Sequence, residues 1–385
     1  EEEAPKNSLQ PAILWRNSVD TAKIFCVNGD YLADISAVGI LDAMMGETYD
    51  YDIYPVINAQ NLVIADLPAF VSENEEEMQK RYSQSAQAVY QEIVWPSLTS
   101  IASRTGAKMT CMMTPQFTYT DEEEPDGENV TYYLKRLKEE HAEAGLSADS
   151  REGIPLSEKI KQDQTFWQTY APSYRFLSLY ADGVKSIGEE SALPAEIRTV
   201  ALGSGASEAV GYLNENVTLQ PSTSSGIRHT FLDDFKVKCM ETALGYSNIT
   251  LDLYSVTYPE GDEDSWEKMS KKIAANLGTY WKAYEAFDAT TLTESDVRIR
   301  RFLALDYKQQ RAGNVITLSL EHREDAAWFL LRLHGEKVTE VAGGSFEEIE
   351  DGVYLILAEE DEVSVEVQNG ETWQYQDGGK CGDGT

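Results

Sequence analysis

Histidine is scarce in this 385-residue chain: only His141, His229, His322 and His334 occur. No two stand three or four positions apart, the spacing that sets two imidazoles on one helical face, so the chain lacks a local histidine pair for a metal. Cysteine is equally sparse. Cys26, Cys111, Cys239 and Cys381 are too few and too scattered for a disulfide framework or a zinc knuckle, and Cys26 and Cys111 fall in apolar runs where a buried thiol is expected. Positive charge is in deficit, with 32 Lys plus Arg against 66 Asp plus Glu and a formal net charge of −34. Such a surface repels phosphate backbones and anionic headgroups, which argues against nucleic acid and against charge-driven membrane binding. Neutral and cationic partners remain: sugars, amino sugars, divalent cations. No apolar run of about 18 residues exists, so no transmembrane helix is expected in this chain.

The chain opens on Glu1-Glu2-Glu3-Ala4-Pro5 without a methionine. The expectation is a mature exported protein or a trimmed chain, located outside the cell or at its surface, with the export signal or anchor outside this sequence. Asn129, Asn216 and Asn248 each begin an N-x-T sequon, a pattern short enough to arise by chance.

What is present is an alternation of short apolar strands with longer polar, helix-like stretches, the pattern of βα units around a parallel sheet. Residues 24–27 (IFCV) read as the first strand, followed by residues 52–58 (DIYPVIN), 62–65, 108–115 (KMTCMMTP), 198–202, 217–220 and 249–254. Helices are expected over residues 37–45, 73–100, 132–144, 157–179, 264–286 and 293–306, where Thr293 with Asp296 three residues on makes an N-cap signal. After Asn314 the period changes to two. Residues 315–320, 329–333, 352–357 and 363–367 read as antiparallel strands, with Asp351-Gly352 and Asn369-Gly370 as turns. The expected organisation is a disordered or linker start over residues 1–12, a βα barrel over 13–310, a β-sandwich-like domain over 314–367 and a flexible tail over 368–385.

In a βα barrel, function collects on the loops after the strands' C-terminal ends. On this reading those loops supply Asn28, Asp30 and Tyr31; Asn58 and Gln60; Thr114, Gln116 and Tyr119; Ser222; and Asp252, Tyr254, Tyr258 and Glu260. Amides, hydroxyls and aromatic rings suit hydrogen bonding to sugar hydroxyls and stacking on pyranose faces. Asp30, Asp252 and Glu260 are the candidate catalytic acids. Against this, Asn28-Gly29-Asp30 is also what a plain tight turn uses. His229, near Asp233 and Asp234, is weighted as a structural or surface residue, and Gly203-Ser204-Gly205-Ala206-Ser207 lacks the G-x-S-x-G spacing of a nucleophile elbow.

Residues 24–32 (IFCVNGDYL), 54–60 (YPVINAQ) and Tyr258-Pro259 followed by Trp266 resemble an uncharacterised bacterial family in the glycoside hydrolase/deacetylase barrel superfamily, associated with Pel-type exopolysaccharide loci. The resemblance implies an α/β fold, a (β/α) barrel of polysaccharide deacetylase type that need not close fully, with a C-terminal antiparallel β-domain. Deacetylases of that superfamily carry T-F-D-D-G and H-S/T-x-x-H motifs that hold a metal. Here Val27-Asn28-Gly29-Asp30 stands for the first and keeps one acid, while Lys138-Glu139-Glu140-His141-Ala142-Glu143 stands near the second with one histidine. A third family segment, H-F-x-H-P-D-D, reads Ser255-Val256-Thr257-Tyr258-Pro259-Glu260-Gly261-Asp262, with both histidines replaced. A degenerate metal site and no cofactor are therefore expected.

Three functions compete. The first is a non-catalytic or weakly active, deacetylase-like protein that binds a polysaccharide or oligosaccharide, amino-sugar polymers included, and acts in exopolysaccharide production or export. The second is a metal-independent hydrolase using paired carboxylates at roughly 5 to 9.5 Å. The third is a scaffold whose β-domain docks a protein partner of an export complex.

Overall fold

The computed structural model of the chain describes residues 12–20, 22–70, 72–119, 124–150, 154–187, 193–203, 205, 208–283 and 287–370. The expected linker at residues 1–12 and tail at 368–385 lie outside the described residues except for residues 12 and 368–370, and the last strand runs to Asn369. The chain divides into two units, Glu1–Met44 with Ile57–Leu303, and Met45–Val56 with Ala304–Thr385.

The first unit is organised on strands apolar enough to be buried on both faces, as parallel strands must be when helices cover them. Seven run parallel: β1 (Ala59–Ala69), β2 (Met109–Thr114), β3 (Glu143–Ser147), β4 (Ser178–Ala181), β5 (Thr199–Leu202), β6 (Thr218–Pro221) and β7 (Tyr246–Asp252). Their order in the sheet is β7-β1-β2-β3-β4-β5-β6. Beyond β6 the chain forms a short strand, Ser224–Ser225, that pairs with β7 at the other edge. Thr223 N–H donates to Asn248 O at 2.8 Å and Gly226 N–H to Thr250 O at 3.0 Å, so the sheet curls into a half-barrel.

Side-chain alternation separates the two faces of that sheet. Leu62, Ile64, Cys111, Met113, Ile249 and Leu251 join helix residues such as Met78, Val89, Leu98, Met269 and Ile273 in one apolar cluster. On the opposite face Val63, Ala65, Met112, Tyr180 and Ala201 pack with Leu292. Nearer the N-terminal ends of the strands that face is polar: Asn61 Nδ2 donates to Gln220 Oε1 at 3.0 Å, Gln220 Nε2 to Thr199 Oγ1 at 2.8 Å, and Thr218 Oγ1 to Asp296 Oδ1 at 2.6 Å. Asp296 belongs to the helix Leu292–Ala304.

Four sequence expectations are corrected. Residues 24–27 are no part of this sheet: Ala22–Val27 pairs only with Leu14–Val19 in a separate antiparallel ribbon, and Ile24 is 49% exposed. The run carries Lys23 and pairs against Arg16 and Asn17, so it cannot be covered on both faces. Residues 52–58 are not a strand of the parallel sheet either, because Tyr51–Val56 pairs antiparallel with Ala327–Leu333 in the second unit. The first parallel strand is the eleven-residue β1. Finally, β3 and β4 occupy segments read as helix ends, since five- and four-residue strands next to helices are too short to show their own period.

The second unit matches the change to period two. Asp306–Ala312, Val315–Glu321, Glu362–Asn369 and Glu336–Ala342 form one four-stranded sheet in that order, and Gly344–Glu350, Val353–Ala358, Ala327–Leu333 and Tyr51–Val56 form another. Ile316, Leu318, Val363 and Val365 of one sheet and Phe329, Leu331, Tyr354 and Ile356 of the other share one core. Gly352, at φ 75°, supplies the left-handed turn read at Asp351-Gly352.

Close approach inside the parallel sheet is testable at Gly145 of β3. A Cβ there would stand 2.6 Å from Ser178 Oγ and 3.0 Å from Ser178 O, and would also meet Met112 Sδ. Gly145→Ala is expected to destabilise the chain by about 1–3 kcal/mol through overpacking, whereas Gly183→Ala, with nothing within 4 Å, should stay within about 0.5 kcal/mol of the parent. Urea unfolding of the two variants checks the difference.

Candidate functional site

Parallel strands deliver their C-terminal ends to one edge of the sheet, and four aspartates gather there: Asp66 in β1, Asp252 ending β7, and Asp149 and Asp182 just past β3 and β4. Asp66 is placed by an interruption of β1. Its backbone is left-handed (φ 59°) and the pairing of β1 with β2 shifts register between Ala65 and Ala69. Aspartate is among the few non-glycine residues that take this conformation readily, and a break in register re-aims a side chain.

Asp66 is fully buried. Its Oδ1 accepts from Ser147 Oγ at 2.7 Å, and Ser147 Oγ accepts in turn from Asp149 N–H at 3.1 Å. Its Oδ2 has no partner among the described residues, and a side-chain hydrogen bond links its carboxyl with that of Asp149. Two ionised carboxylates offer no proton to each other, so the contact is favourable only when the pair holds one. Burial raises Asp66 well above the ordinary carboxylate range, and the neighbouring charges of Asp149 and Asp252 add to it. Asp149 is pushed up to about 7 by burial first, then by Asp252 and Asp182. Asp252 is raised by desolvation, against the Tyr254 N–H that its Oδ1 accepts at 2.9 Å and the charge of Arg228. It has solvent-exposed surface, while Asp66 has none.

Tyr180 of β4 stands beneath this cluster, buried, its hydroxyl held neutral by burial and by all four carboxylates. Gly203, after β5, makes room for it: a Cβ there would lie 2.7 Å from Asp182 Oδ1 and 3.1 Å from the Tyr180 hydroxyl. A second cation near the cluster, besides Arg228, is Lys159 of the helix Leu156–Tyr170, which is fully buried. Its Nζ donates to Thr114 Oγ1 at 3.0 Å and Tyr119 Oη at 2.9 Å and pairs with Asp163 at 3.1 Å. Tyr119 donates its own proton to Asp163. Lys159 draws Asp66 and Asp149 part of the way back toward ionisation.

An aromatic wall flanks Asp252. Tyr254 and Tyr258 stack at 5.0 Å and 30°, and Phe117 meets both edge-on at 5.1 and 6.0 Å. Buried Glu73 fixes the wall by accepting from Phe117 and Thr118 N–H, each at 3.0 Å, and from the Tyr258 hydroxyl at 3.0 Å.

Of the residues singled out from sequence, Asp252, Tyr254, Tyr258, Thr114 and Tyr119 come together here. Gln116 lies on the same loop, its carbonyl accepting from Thr114 Oγ1 at 3.1 Å. Ser222 is buried behind the seam between β6 and β7, donating to Ser224 O at 3.0 Å. The others stand elsewhere. Asn28, Asp30 and Tyr31 follow the separate ribbon, where Tyr31 packs edge-on against Phe235 at 5.8 Å. Asn58 and Gln60 begin β1 at its opposite end, tied to Asp288 and Glu241, and exposed Glu260 donates its N–H to Asp264 at 2.8 Å in a local turn. Asp66, Asp149, Asp182, Tyr180 and Lys159 were missed. A signal for Asp66 existed: it directly follows Leu62-Val63-Ile64-Ala65, the run recognised as a strand.

Residues 6–152 match a family described as an uncharacterised protein conserved in bacteria (DUF2194). No curated protein matches the chain. Among solved structures the chain is similar to a protein of Parabacteroides distasonis assigned as a glycoside hydrolase/deacetylase, at 9% identity and a TM-score of 0.38, over 72% of this chain and 82% of that one. It is also similar to the endo-beta1,6-glucanase BT3312, at 11% identity and a TM-score of 0.32, over 89% and 90%. Both likenesses are remote, and the chemistry of the site is read from its own residues. Among the described residues the donors gathered at the strand ends are carboxylates; His322 pairs with Asp306, His334 bonds Gly46 O, and His141 sits in a turn at φ 53°. Among the described residues no group of three or more His, Cys, Asp or Glu side chains stands where it could hold a metal ion, which does not fit the histidine-ligated metal that the sequence resemblance implies.

The carboxyl pair carries a pH signature. A carboxyl raised in the folded chain binds protons that the unfolded chain has released, so its contribution is fully present below about pH 4 and is lost as pH rises through about 7. Asp149→Asn, which hydrogen-bonds Asp66 without titrating, should flatten the decline in stability across that window, a change on the order of a few kcal/mol. Thermal melts at half-unit pH steps read the slope, and an unchanged slope counts against proton sharing.

Proposed function

We propose that this chain is a carbohydrate-active enzyme that cleaves a polysaccharide by carboxylate acid–base chemistry at the C-terminal ends of its parallel strands. One observation carries the reading: Asp66, buried with an oxygen that has no partner among the described residues and hydrogen-bonded through its carboxyl to Asp149, beside solvent-exposed Asp252. Carboxyls whose environments push their proton affinities apart are how acid and base roles divide in such sites. Asp149, protonated below about pH 7, is the general acid that protonates the leaving oxygen, with Asp66 behind it as the proton reserve. Asp252, facing water and Arg228, is the carboxylate that activates water or attacks the sugar carbon. Asp182 adds negative charge that favours a developing oxocarbenium ion.

The stacked, half-buried rings of Tyr254 and Tyr258, backed by buried Phe117, support a sugar ring as the bound group, since stacked rings with a hydroxyl held in place suit a pyranose face. The excess of carboxylate favours a neutral or cationic polymer, amino-sugar chains included, over an acidic one. Exopolysaccharide production at the cell surface, with a protein partner in an export complex, is the setting that the sequence resemblance suggests.

Reducing-end release from a panel of neutral and amino-sugar polysaccharides tests the reading. Asp252→Asn and Asp149→Asn should each lower kcat at least about a hundredfold, the usual scale of a lost acid or base, with substrate binding retained. The wild-type rate should fall as pH rises past about 7, and Asp149→Asn should lack that limb. Full activity in Asp252→Asn would remove the assignment, and binding without turnover by the wild type would recast the chain as a carbohydrate-binding protein.

A further inference from the structure

Tyr180 and Asp182 share one corner of the carboxylate layer. Residues two apart in a strand point to the same face. Tyr180 is the last residue but one of β4 and Asp182 follows its end, so the long ring reaches up beside the short acid. Gly203, after β5, completes the corner. The point where its Cβ would stand is 3.1 Å from the Tyr180 hydroxyl and 2.7 Å from Asp182 Oδ1. Two oxygens that near to one point are within reach of a single bridging hydroxyl at ordinary hydrogen-bond lengths of about 2.8 Å.

Both groups are unspent. Tyr180 is 2% exposed, yet its hydroxyl bonds to no described residue and keeps solvent-accessible surface. Burial and the surrounding carboxylates hold it protonated, so it stays a donor. Asp182 is exposed, and its carboxylate accepts from no described residue. Neighbouring hydroxyls are engaged, Ser147 with Asp66 and Tyr258 with Glu73. A neutral donor that the fold leaves without an acceptor, in a layer made mostly of acceptors, is a place for a ligand oxygen.

Pairing chemistry sets which ligand group fits. A sugar hydroxyl has one proton to give and lone pairs to receive, so it can hand its proton to Asp182 while accepting from Tyr180. An ammonium has no lone pair for Tyr180, and an amide nitrogen accepts no hydrogen bond. Among the charged neighbours, Asp149 and Asp252 bear most on the Tyr180 hydroxyl. Those are the carboxyls assigned above to the leaving oxygen and the sugar carbon, which places the bridged hydroxyl beside the scissile bond. Hydrogen bonds to the 2-hydroxyl are also those that strengthen as a glycosidic bond breaks.

We propose that Tyr180 contacts the substrate and, with Asp182, reads the 2-hydroxyl of the sugar at the cleaved bond, so that the chain prefers a hexose with a free 2-hydroxyl over a 2-amino or 2-acetamido sugar. The proposal rests on the carbohydrate reading of the same site and narrows it.

The test uses the full chain, with glucose, galactose and the 2-deoxy form of each as probes, titrated by ligand-observed NMR. The wild type should bind at least one parent sugar and hold its 2-deoxy form at least about fivefold more weakly, the scale of one hydrogen bond. Tyr180→Phe should bind the parent and 2-deoxy forms alike while melting within about 2 °C of the wild type, because the removed hydroxyl bonds nothing in the protein. Tyr246, at the start of β7, donates its hydroxyl to Pro221 O at 3.4 Å, and Tyr246→Phe should keep the 2-hydroxyl preference. No binding of either parent sugar, equal binding of parent and 2-deoxy forms by the wild type, a preference retained in Tyr180→Phe or lost in Tyr246→Phe, or a larger fall in the melting temperature of Tyr180→Phe each overturns the proposal. Binding is read without turnover, so a wild type that shows the preference but releases no reducing ends contradicts the proposed hydrolysis alone.

Discussion

The strand Ala59–Ala69 is the constraint on which the first unit depends. It pairs with Met109–Thr114 on one side and with Tyr246–Asp252 on the other, and the short strand Ala289–Thr290 pairs with it as well. Its side chains serve both layers: Leu62 and Ile64 seal the helix-covered core, while Val63 and Ala65 pack on the opposite face. Burial on both sides leaves its backbone no alternative to sheet pairing, since any unpaired N–H or C=O there would be lost to water. The same strand then departs from regularity at Asp66, and that departure puts a carboxyl where the pleat would not.

Strand ends and charge are linked through this placement. Carboxylates that would repel on an open surface are gathered by the parallel topology at one edge, and burial converts their repulsion into retained protons. Lys159 keeps the arrangement from being wholly neutralised. Its ammonium is buried only because Asp163, Thr114 and Tyr119 satisfy all three of its donors. The aromatic wall is held by the opposite device, a buried carboxylate, Glu73, whose oxygens accept from two backbone N–H groups and a tyrosine.

The two units illustrate different routes from pattern to structure. In the second, alternation with period two encodes each strand's inward face directly, and the core of Ile316, Leu318, Val363 and Val365 follows from it. In the first, fully buried strands carry no alternation, so length and neighbours decide between strand and helix end. The segments 143–147 and 178–181 fell on that ambiguity, and with them went Asp149 and Asp182.

What the sequence by itself determined is the local and the additive: a βα segment pattern, an antiparallel β region after it, a net charge of −34 that disfavours acidic partners, and the placement of single residues such as Asp252 and Thr114 at strand ends. Those follow from composition and from periodicity within a few residues. Tertiary structure alone decided which strand is first, since Ala22–Val27 and Ala59–Ala69 are both apolar runs and only long-range pairing tells a ribbon from a sheet centre. It alone decided that Tyr51–Val56 pairs with Ala327–Leu333 across more than 270 positions. It alone brought Asp66, Asp149, Asp182 and Asp252 onto one edge. Proton sharing depends on distances between groups far apart in the chain and on the water excluded around them, and neither quantity exists until the sheet has closed over its helices.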